Sequence, residues 1–339
     1  MTKPDMTKPD IIKPDLFRRA NFAFALTLAA AAALGGLTAH AQTYPNKPIT
    51  IVVPFGPGSG TDQLARVYAQ ALTAQYNVPV VVDNKAGASG FIASQYVAKA
   101  APDGYTMLMT TNTTHAANEH LYKKLPYDPV KDFTPVALLN KGHMLLMVGP
   151  SSPIKSVGDL IAAAKQSPGK LNFGSGSSSS RVAGELLRQM AAIDVVHVPY
   201  KSNPLGITDL MGGQIDFMFA DAPTAMPQVS GGKLRALAAS GTKRLATAPN
   251  VPTVDEAGVK GYDMSYWTAV YLPAGAPAAV TNKLNEMLLA ATATPASIAF
   301  QAATSGELST STPDGLAKFQ AAESRKWGTV IRAAGIEPE

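Results

Sequence analysis

The sequence predicts an α/β fold, and two consecutive strand–loop–helix units near its start carry that prediction. In the first unit, a β-branched run at residues 50–53 precedes a glycine-containing loop at 55–60, and apolar residues then recur at helical spacing. In the second unit, a strand candidate at 78–82 precedes another small-residue loop and a helix at 91–100. Units in this order predict parallel strands joined by right-handed crossovers, with ligands at the carboxyl ends of the strands.

The first 41 residues have the features of an export signal rather than of a folded element. A polar extension with MTKPD twice and IIKPD once precedes an arginine pair at 18–19, an apolar Ala-rich run at 22–37 and an A-x-A pattern at 39–41. A membrane anchor is the alternative, but the run of roughly 16 residues is shorter than the about 20 needed to span a bilayer. We therefore predict a signal peptide that is cleaved after Ala41.

Composition narrows the class of protein. The predicted mature chain, from Gln42 onward, is long enough for two domains of ordinary size. Removing the five basic and three acidic residues of the leader leaves 24 Lys and Arg against 21 Asp and Glu, a net charge of +3. This mild balance argues against a nucleic-acid partner. The chain has no cysteine, which excludes disulfides, thiolate catalysis and cysteine-ligated metals.

The loop at 55–60 has the composition of an anion site built from backbone amides. Residues 59–62, Ser-Gly-Thr-Asp, resemble a capping box for the helix that follows. A helix N-terminus presents unpaired N–H groups and the positive end of the helix dipole. The loop lacks a lysine and the spacings of phosphate and dinucleotide loops, so a carboxylate is the favoured ligand. An ordinary tight turn is the alternative.

Short polar side chains also follow other predicted strands. A Thr-Asn-Thr-Thr-His segment at 111–115 follows a strand at 105–110, and a Ser-rich loop at 174–180 precedes a helix at 182–190. Both segments stand where ligands of α/β sheets bind. His115 could donate a hydrogen bond to a carboxylate or, equally, cap the next helix.

Arg181 is a candidate for holding an anionic group. It stands in the first turn of its helix, where a cation opposes the dipole and invites an anionic partner. The alternative is a solvated arginine paired with Glu185 one turn on. Tyr200 and Asp221 follow other strands, and Asp221 would repel an anionic ligand unless it accepted a hydrogen bond from a hydroxyl, an ammonium group or water. His197, inside an apolar run, is interpreted as a core histidine.

No catalytic or metal-binding motif stands out. The G-x-S-x-G and H-E-x-x-H patterns are absent, and His115 and His120 are five residues apart, which does not place them on one helical face. A serine hydrolase using the serines at 177–180 with His197 has no positive support. We therefore predict no enzyme activity, no metal site and no cofactor.

Six motifs follow one another along the predicted mature chain. They are VPFGPGSGTDQLAR at 53–66, NKAGASGFIASQYVAKAAPDGYT at 84–106, VPYKS with DLMGGQIDFMF at 198–219, GGKLRALA at 231–238, PNVPTVDEAG at 249–258 and LPAGAP at 272–277. In this combination the chain resembles the Bug or TctC family, the extracytoplasmic substrate-binding proteins of tripartite tricarboxylate transporters.

The resemblance implies an architecture like that of type II periplasmic binding proteins. Two lobes, each with a central mixed sheet flanked by helices, would be joined by crossing strands and close around a ligand by a hinge motion. Lobe 1 would comprise residues 43–144 and 266–339, and lobe 2 residues 145–265. We expect a monomer in the periplasm.

The resemblance also implies that two small-residue loops of lobe 1 hold one ligand carboxylate, through backbone amides and hydroxyls. The positions are Phe55, Gly58, Ser59, Gly60, Thr61 and Asp62 in the first loop, and Ala86, Gly87 and Ala88 in the second. For Asp62, capping the helix is favoured over ligand contact. The candidates for the other end of the ligand are Thr111, Asn112, Thr113, His115, Ser177, Ser178, Ser179, Arg181, Tyr200 and Asp221.

These inferences predict a receptor that captures a small organic acid, a dicarboxylate or an aromatic acid, by hinge closure. It would deliver the acid to the membrane subunits of a tripartite tricarboxylate transporter. A sensory protein whose closed form is recognised by a membrane sensor kinase is the alternative. Tyr266, Trp267 and Tyr271 would form either an aromatic wall of the site or packing at the hinge.

Overall fold

The computed structural model describes residues 1–2 and 44–339, so the predicted signal peptide lies outside the described residues. The strands are β1 (Ile49–Val53), β2 (Val80–Asn84), β3 (Thr106–Thr111), β4 (Phe133–Val148), β5 (Asn172–Ser175), β6 (Val196–Pro199), β7 (Phe217–Asp221), β8 (Arg235–Ala239), β9 (Ser265–Pro273) and β10 (Glu307–Leu308). The strands predicted near the start are β1, β2 and β3, with ends displaced by at most two residues.

Helices alternate with these strands. The α-helices are α1 (Gly60–Tyr76), α2 (Phe91–Ala98), α3 (Asn118–Leu121), α4 (Val157–Gln166), α5 (Ser178–Met190), α6 (Asn203–Met211), α7 (Ala222–Ser230), α8 (Ala278–Thr292), α9 (Pro295–Thr304) and α10 (Pro313–Ala333). A 3₁₀ turn (Ala88–Gly90) precedes α2, and a π-helical turn (Thr113–Ala117) precedes α3. None of the helices that the structure describes combines the length and apolar character that crossing a membrane requires.

The long strand β4 connects two regions of one sheet. Its residues up to His143 pair antiparallel with β9, and its residues from Met144 onward pair with β7 and β8. The strand order is β2-β1-β3-β9-β4-β7-β5-β6, with β1 parallel to β2 and β3, and β5 parallel to β6 and β7. We call the region built on β1–β3 and β9 lobe 1, and the region built on β5–β8 lobe 2.

This mixed two-lobed α/β architecture confirms the predicted fold class. Apolar packing fixes each lobe: in lobe 1, α1 buries Leu64, Tyr68 and Leu72, which recur four residues apart on one helical face. In lobe 2, Phe217 of β7 is fully buried and stacks on Phe173 of β5 at a ring distance of 5.6 Å. The carboxyl ends of the parallel strands in both lobes face the region between the lobes.

The start of α5 differs from the prediction. The Ser-rich segment was predicted to be a loop through Ser180, with a helix from residue 182, but the helix begins at Ser178. Ser177 is the N-cap, and its side chain accepts a hydrogen bond from the backbone of Ser180 in a reciprocal capping box. The serine side chains satisfy terminal amides and thereby extend the helix by one turn.

Candidate functional site

A cleft that is partly open to solvent lies between the two lobes. It is bounded by segments that follow the carboxyl ends of β1, β3, β5 and β7, and by the middle of β4 and β9. Its lining residues are Phe55, Ser59, Gly60, Thr61, Thr111, Asn140, Met144, Gly176, Ser177, Ser179, Asn203, Asp221, Pro223, Tyr266 and Thr268.

The N-terminus of α1 presents free amides to this cleft. Ser59 caps the helix, because its Oγ accepts a hydrogen bond from the Asp62 amide at 3.3 Å. The amides of Gly60 and Thr61 have no hydrogen-bond partner within residues 44–339. Both residues are buried and line the cleft. The two donors and the positive end of the helix dipole therefore face the same small volume.

The N-terminus of α5, in lobe 2, also has amides without an acceptor in the part of the chain that the structure describes. Ser177 Oγ accepts from the Ser180 amide at 3.2 Å, whereas the amides of Ser178 and Ser179 find no acceptor in the part of the chain that the structure describes. Ser177 and Ser179 line the cleft opposite α1. Of the described residues that line it, none is basic, so the positive potential beside these helix N-termini comes from backbone dipoles.

Asp62 stabilises the first loop through hydrogen bonds and an ion pair. Its carboxylate accepts hydrogen bonds from the Gly58 amide and the Asn84 side chain, both at 2.9 Å, and pairs with Arg66. Burial acts to raise the pKa of Asp62, but the bonds from Arg66, Gly58 and Asn84 outweigh it and hold the pKa below its ordinary value. Asp62 is 2% exposed and does not line the cleft.

Asp221 is the acidic residue of the cleft. Its Oδ1 accepts from Asn203 Nδ2 at 2.7 Å, and its Oδ2 accepts from Thr224 Oγ1 at 2.5 Å. The Asn203 side chain in turn accepts from the Gly176 amide at 3.0 Å. Burial and the charge of Asp221 raise the pKa of Tyr266, whose hydroxyl has no partner within residues 44–339. The cleft thus contains a fixed carboxylate beside a phenol that keeps its proton.

Hydrogen bonds between the lobes show that the structure is closed. Asn112 Nδ2 donates to Ser179 Oγ at 2.8 Å, and Ser178 Oγ donates to Asn118 Oδ1 at 2.7 Å. On the other side of the cleft, Gln63 Nε2 donates to the Pro223 carbonyl at 3.2 Å. Closure therefore holds the N-termini of α1 and α5 close together.

The structure places the sequence-predicted site residues in three groups. Those that line the cleft are Phe55, Ser59, Gly60, Thr61, Thr111, Ser177, Ser179 and Asp221. Those that join the lobes or line an adjoining chamber are Asn112, Thr113, Ser178, Arg181 and Tyr200. Those outside the cleft lining are Gly58, Asp62, Ala86, Gly87 and His115, and the Ala88 side chain lies outside what the structure describes.

His115 lies in the core of lobe 1. Its ring is fully buried, stacks on Tyr271 at 4.0 Å, and has Nδ1 2.8 Å from Thr114 Oγ1. Burial lowers the pKa of His115 to about 3, so the ring is neutral. Of the three aromatic residues of β9, Tyr271 and Trp267 pack in the core, and Tyr266 reaches the cleft.

Arg181 does not pair with Glu185. That glutamate binds Arg188 at 2.6 Å, and the Arg181 guanidinium pairs with Glu339 at 2.5 Å. His197 is partly buried with its Nε2 2.6 Å from Ser175 Oγ. Within residues 1–2 and 44–339, no group of three or more His, Cys, Asp or Glu side chains is placed to bind a metal ion.

Sequence reasoning missed several residues of the cleft. They are Asn140, Met144, Gly176, Asn203, Pro223 and Thr268. Met144 and Thr268 belong to the crossing strands, which form the floor of the cleft. The lobe boundaries implied by the resemblance, at 144 and 266, were the signal that could have located these residues. Asn203 could have been found because it directly follows the strand-end segment at 198–202.

Comparisons with known proteins are consistent with this geometry. Residues 64–336 match the family described as tripartite tricarboxylate transporter family receptor. The structure is similar to that of Rpa4515 from R. palustris with adipate, with 35% identity, a TM-score of 0.85, and coverage of 87% of this chain and 100% of that one.

Two further solved structures are similar over most of the chain. The periplasmic binding protein BugD has 30% identity and a TM-score of 0.84, with 87% of this chain and 100% of that chain covered. MatC from Rhodopseudomonas palustris, with bound malate, has 30% identity and a TM-score of 0.81, with 85% and 100% covered.

Gly60→Ala is expected to hinder closure. A Cβ at position 60 would overlap the Asp221 carboxylate and lie 3.2 Å from Pro223 Cβ, and Asp221 is held by Asn203 and Thr224. Because alanine is favourable in a helix, the variant should fold with little change in melting temperature. X-ray scattering should show a larger radius of gyration than for the wild type.

Gly158→Ala is the matched control, since it also lies near a helix N-terminus but its Cβ would meet only Ser156 Oγ at 3.6 Å. Identical scattering curves for Gly60→Ala and wild type would contradict the closed contact between Gly60 and Asp221.

His115→Phe is expected to reduce the acid sensitivity of folding. Below the unfolded pKa of about 6.5, the unfolded chain binds a proton at His115 that the folded chain does not bind until about pH 3. Stability therefore falls as pH falls through this window, by about 3 kcal/mol between pH 7 and pH 4. Urea denaturation should show a smaller loss for the variant, and parallel pH profiles would refute the assignment.

Proposed function

The chain belongs to the tripartite tricarboxylate transporter receptor family, and from this premise we propose that it is a periplasmic receptor for a small organic acid. It captures the acid between its lobes and passes it to the membrane subunits of a transporter. The observation that carries the proposal is the pair of helix N-termini, α1 and α5, whose free amides face the cleft from opposite lobes.

The amides suit a carboxylate better than a neutral ligand. Hydrogen bonds to a charged acceptor are roughly twice as strong as bonds between neutral groups, and two helix dipoles add to them. Inside the cleft the effective dielectric constant is lower than in bulk water, which strengthens each of these interactions. A carboxylate held by Gly60 and Thr61 would meet α5 only when the lobes close, so anion binding favours the closed form.

The rest of the cleft supports a small organic body. Phe55, Met144 and Pro223 supply apolar surface, and Tyr266 and Thr268 supply hydroxyl groups. Among the similar proteins, one was solved with adipate and another with bound malate, and both ligands are small organic acids. We infer a dicarboxylate or an aromatic acid as the ligand class.

Closure would be a rotation of two lobes, residues 43–144 with 266–339 against residues 145–265. The hydrogen-bonding partners of β4 change between His143 and Met144, and this change supports a hinge at that point. The proposed signal peptide, cleaved after Ala41, would export the chain to the compartment in which BugD is described as a binding protein.

We infer no catalytic activity. The Ser175 hydroxyl lies 2.6 Å from His197, the spacing of a nucleophile and its base. Burial and the charge of Arg181 nevertheless lower the pKa of His197 to about 4, which leaves the imidazole a weak base at neutral pH. This pair favours a binding role over hydrolysis.

A thermal-denaturation screen of the purified protein tests the proposal. The panel contains mono-, di- and tricarboxylates, aromatic acids and amino acids, and each acid is paired with its amide as a neutral analogue. An acid at 100 times its Kd should add about 2.7 kcal/mol to the free energy of unfolding. We expect stabilisation by one class of acid and none by its amides, since the amides lack the charge. If no acid stabilised the protein, or if each acid and its amide stabilised it equally, the proposal would be rejected.

A further inference from the structure

A second chamber, partly open to solvent, adjoins the cleft and shares Phe55, Gly176 and Ser177 with it. We call it the Arg181 chamber. Its other lining residues are Ser89, Gly90, Tyr122, Ser175, Ser178, Arg181, His197, Pro199, Tyr200, Lys201 and Glu339. Among the described residues, the cleft is lined by one charged side chain, the acidic Asp221, whereas the chamber is lined by the cationic Arg181 and Lys201 and by the acidic Glu339.

Arg181 is only partly satisfied in this chamber. Its side chain is 18% exposed, and Nη1 pairs with Glu339 Oε1. The Arg181 Nε is buried without a hydrogen-bond partner in residues 44–339. A guanidinium presents a fork of donors that a carboxylate can occupy with both oxygens, and one edge of this fork is empty.

The Glu339 side chain reaches Arg181 from the other lobe. The Glu339 amide donates to the Leu121 carbonyl at 2.9 Å, and the Lys123 amide donates to the main-chain oxygen of Glu339 at 2.7 Å. The glutamate side chain itself is 57% exposed. Solvent screens the Glu339 end of this pair, and a carboxylate that replaced Glu339 would keep the Arg181 charge paired.

The neighbours of Arg181 in the chamber, His197 and Tyr200, already bond other protein groups. His197 is neutral at neutral pH, because burial and the nearby Arg181 charge lower its pKa, and it bonds Ser175. The Tyr200 hydroxyl already donates to Asp209 at 2.9 Å. Arg181 therefore supplies the buried positive charge with a free donor.

We propose that the Arg181 chamber is the subsite for a second anionic group of the ligand, which displaces the Glu339 carboxylate from Arg181. This inference rests on the proposed function. Asp221 lies beside Gly60 and repels any carboxylate in the cleft, so a diacid gains by placing its second carboxylate away from it. The adjoining chamber offers a buried guanidinium, and a bidentate carboxylate would bond the Arg181 Nε that Glu339 leaves free.

Calorimetry with linear diacids of four to eight carbons, each beside the monoacid of the same length, tests the subsite. Arg181→Ala should raise the Kd of the best diacid by about tenfold or more and leave that of its monoacid within about twofold. The matched control is Arg332→Ala, which removes the same charge from an exposed position outside both cavities.

Glu339→Gln distinguishes a displaced competitor from a latch between the lobes. Removal of a competitor should lower the Kd of the diacid by about two- to fivefold and leave the monoacid unchanged. Because Glu339 is exposed, this variant should fold normally. Glu337→Gln, an exposed change of the same charge in the same segment, is the control.

Three results would overturn the inference: equal losses of diacid and monoacid binding in Arg181→Ala, no loss in either, or weaker binding of both in Glu339→Gln, which would make the pair a latch. If the wild type binds acids but neither variant differs from it, only the subsite is refuted. If the wild type binds no acid in the series or in the screen of carboxylates, the proposed function fails with it.

Discussion

The arrangement of the molecule depends on backbone amides that a helix cannot satisfy by itself. The first turn of any α-helix leaves N–H groups without acceptors, and burying them unpaired is costly. In this fold Ser59 and Ser177 cap α1 and α5, yet the next two amides of each helix have no acceptor within residues 44–339. Gly60, Thr61 and Ser179 line the cleft, and Ser178 lines the chamber beside it. The crossing strands β4 and β9 connect the two lobes that present these termini.

Charge placement around the cleft follows from this constraint. A basic side chain in the cleft would bind an anion without requiring closure, whereas two opposed helix termini act together only when the lobes meet. Asp62 is buried under the first loop and fixes its conformation through Arg66 and Asn84, so the loop does not depend on ligand for its shape. Asp221 makes one side of the ligand space acidic, and Arg181 makes the other side basic. A ligand whose charges are distributed asymmetrically would therefore bind in one orientation.

The part of this site whose structure depends on residues adjacent in sequence could be predicted. The first loop was located from its glycines and capping pattern, because both are determined by neighbouring residues. The start of α5 was missed, since a run of serines has weak helix propensity and its capping box forms only with the helix. The floor residues Asn140 and Thr268 depend on the register between β4 and β9, and Arg181 pairs with Glu339 far along the chain instead of Glu185 nearby. Such long-range pairings leave no local pattern in the sequence.

We propose that the free amides of α1 and α5 hold the ligand carboxylate. Nuclear magnetic resonance of ¹⁵N-labelled protein, titrated with an acid that stabilises it, reports on each of these amides separately. We expect the amide protons of Gly60, Thr61, Ser178 and Ser179 to move downfield, and by more than those of the already bonded amides of Asp62 and Ser180. Large shifts confined to other parts of the molecule, with these four amides unchanged, would contradict it.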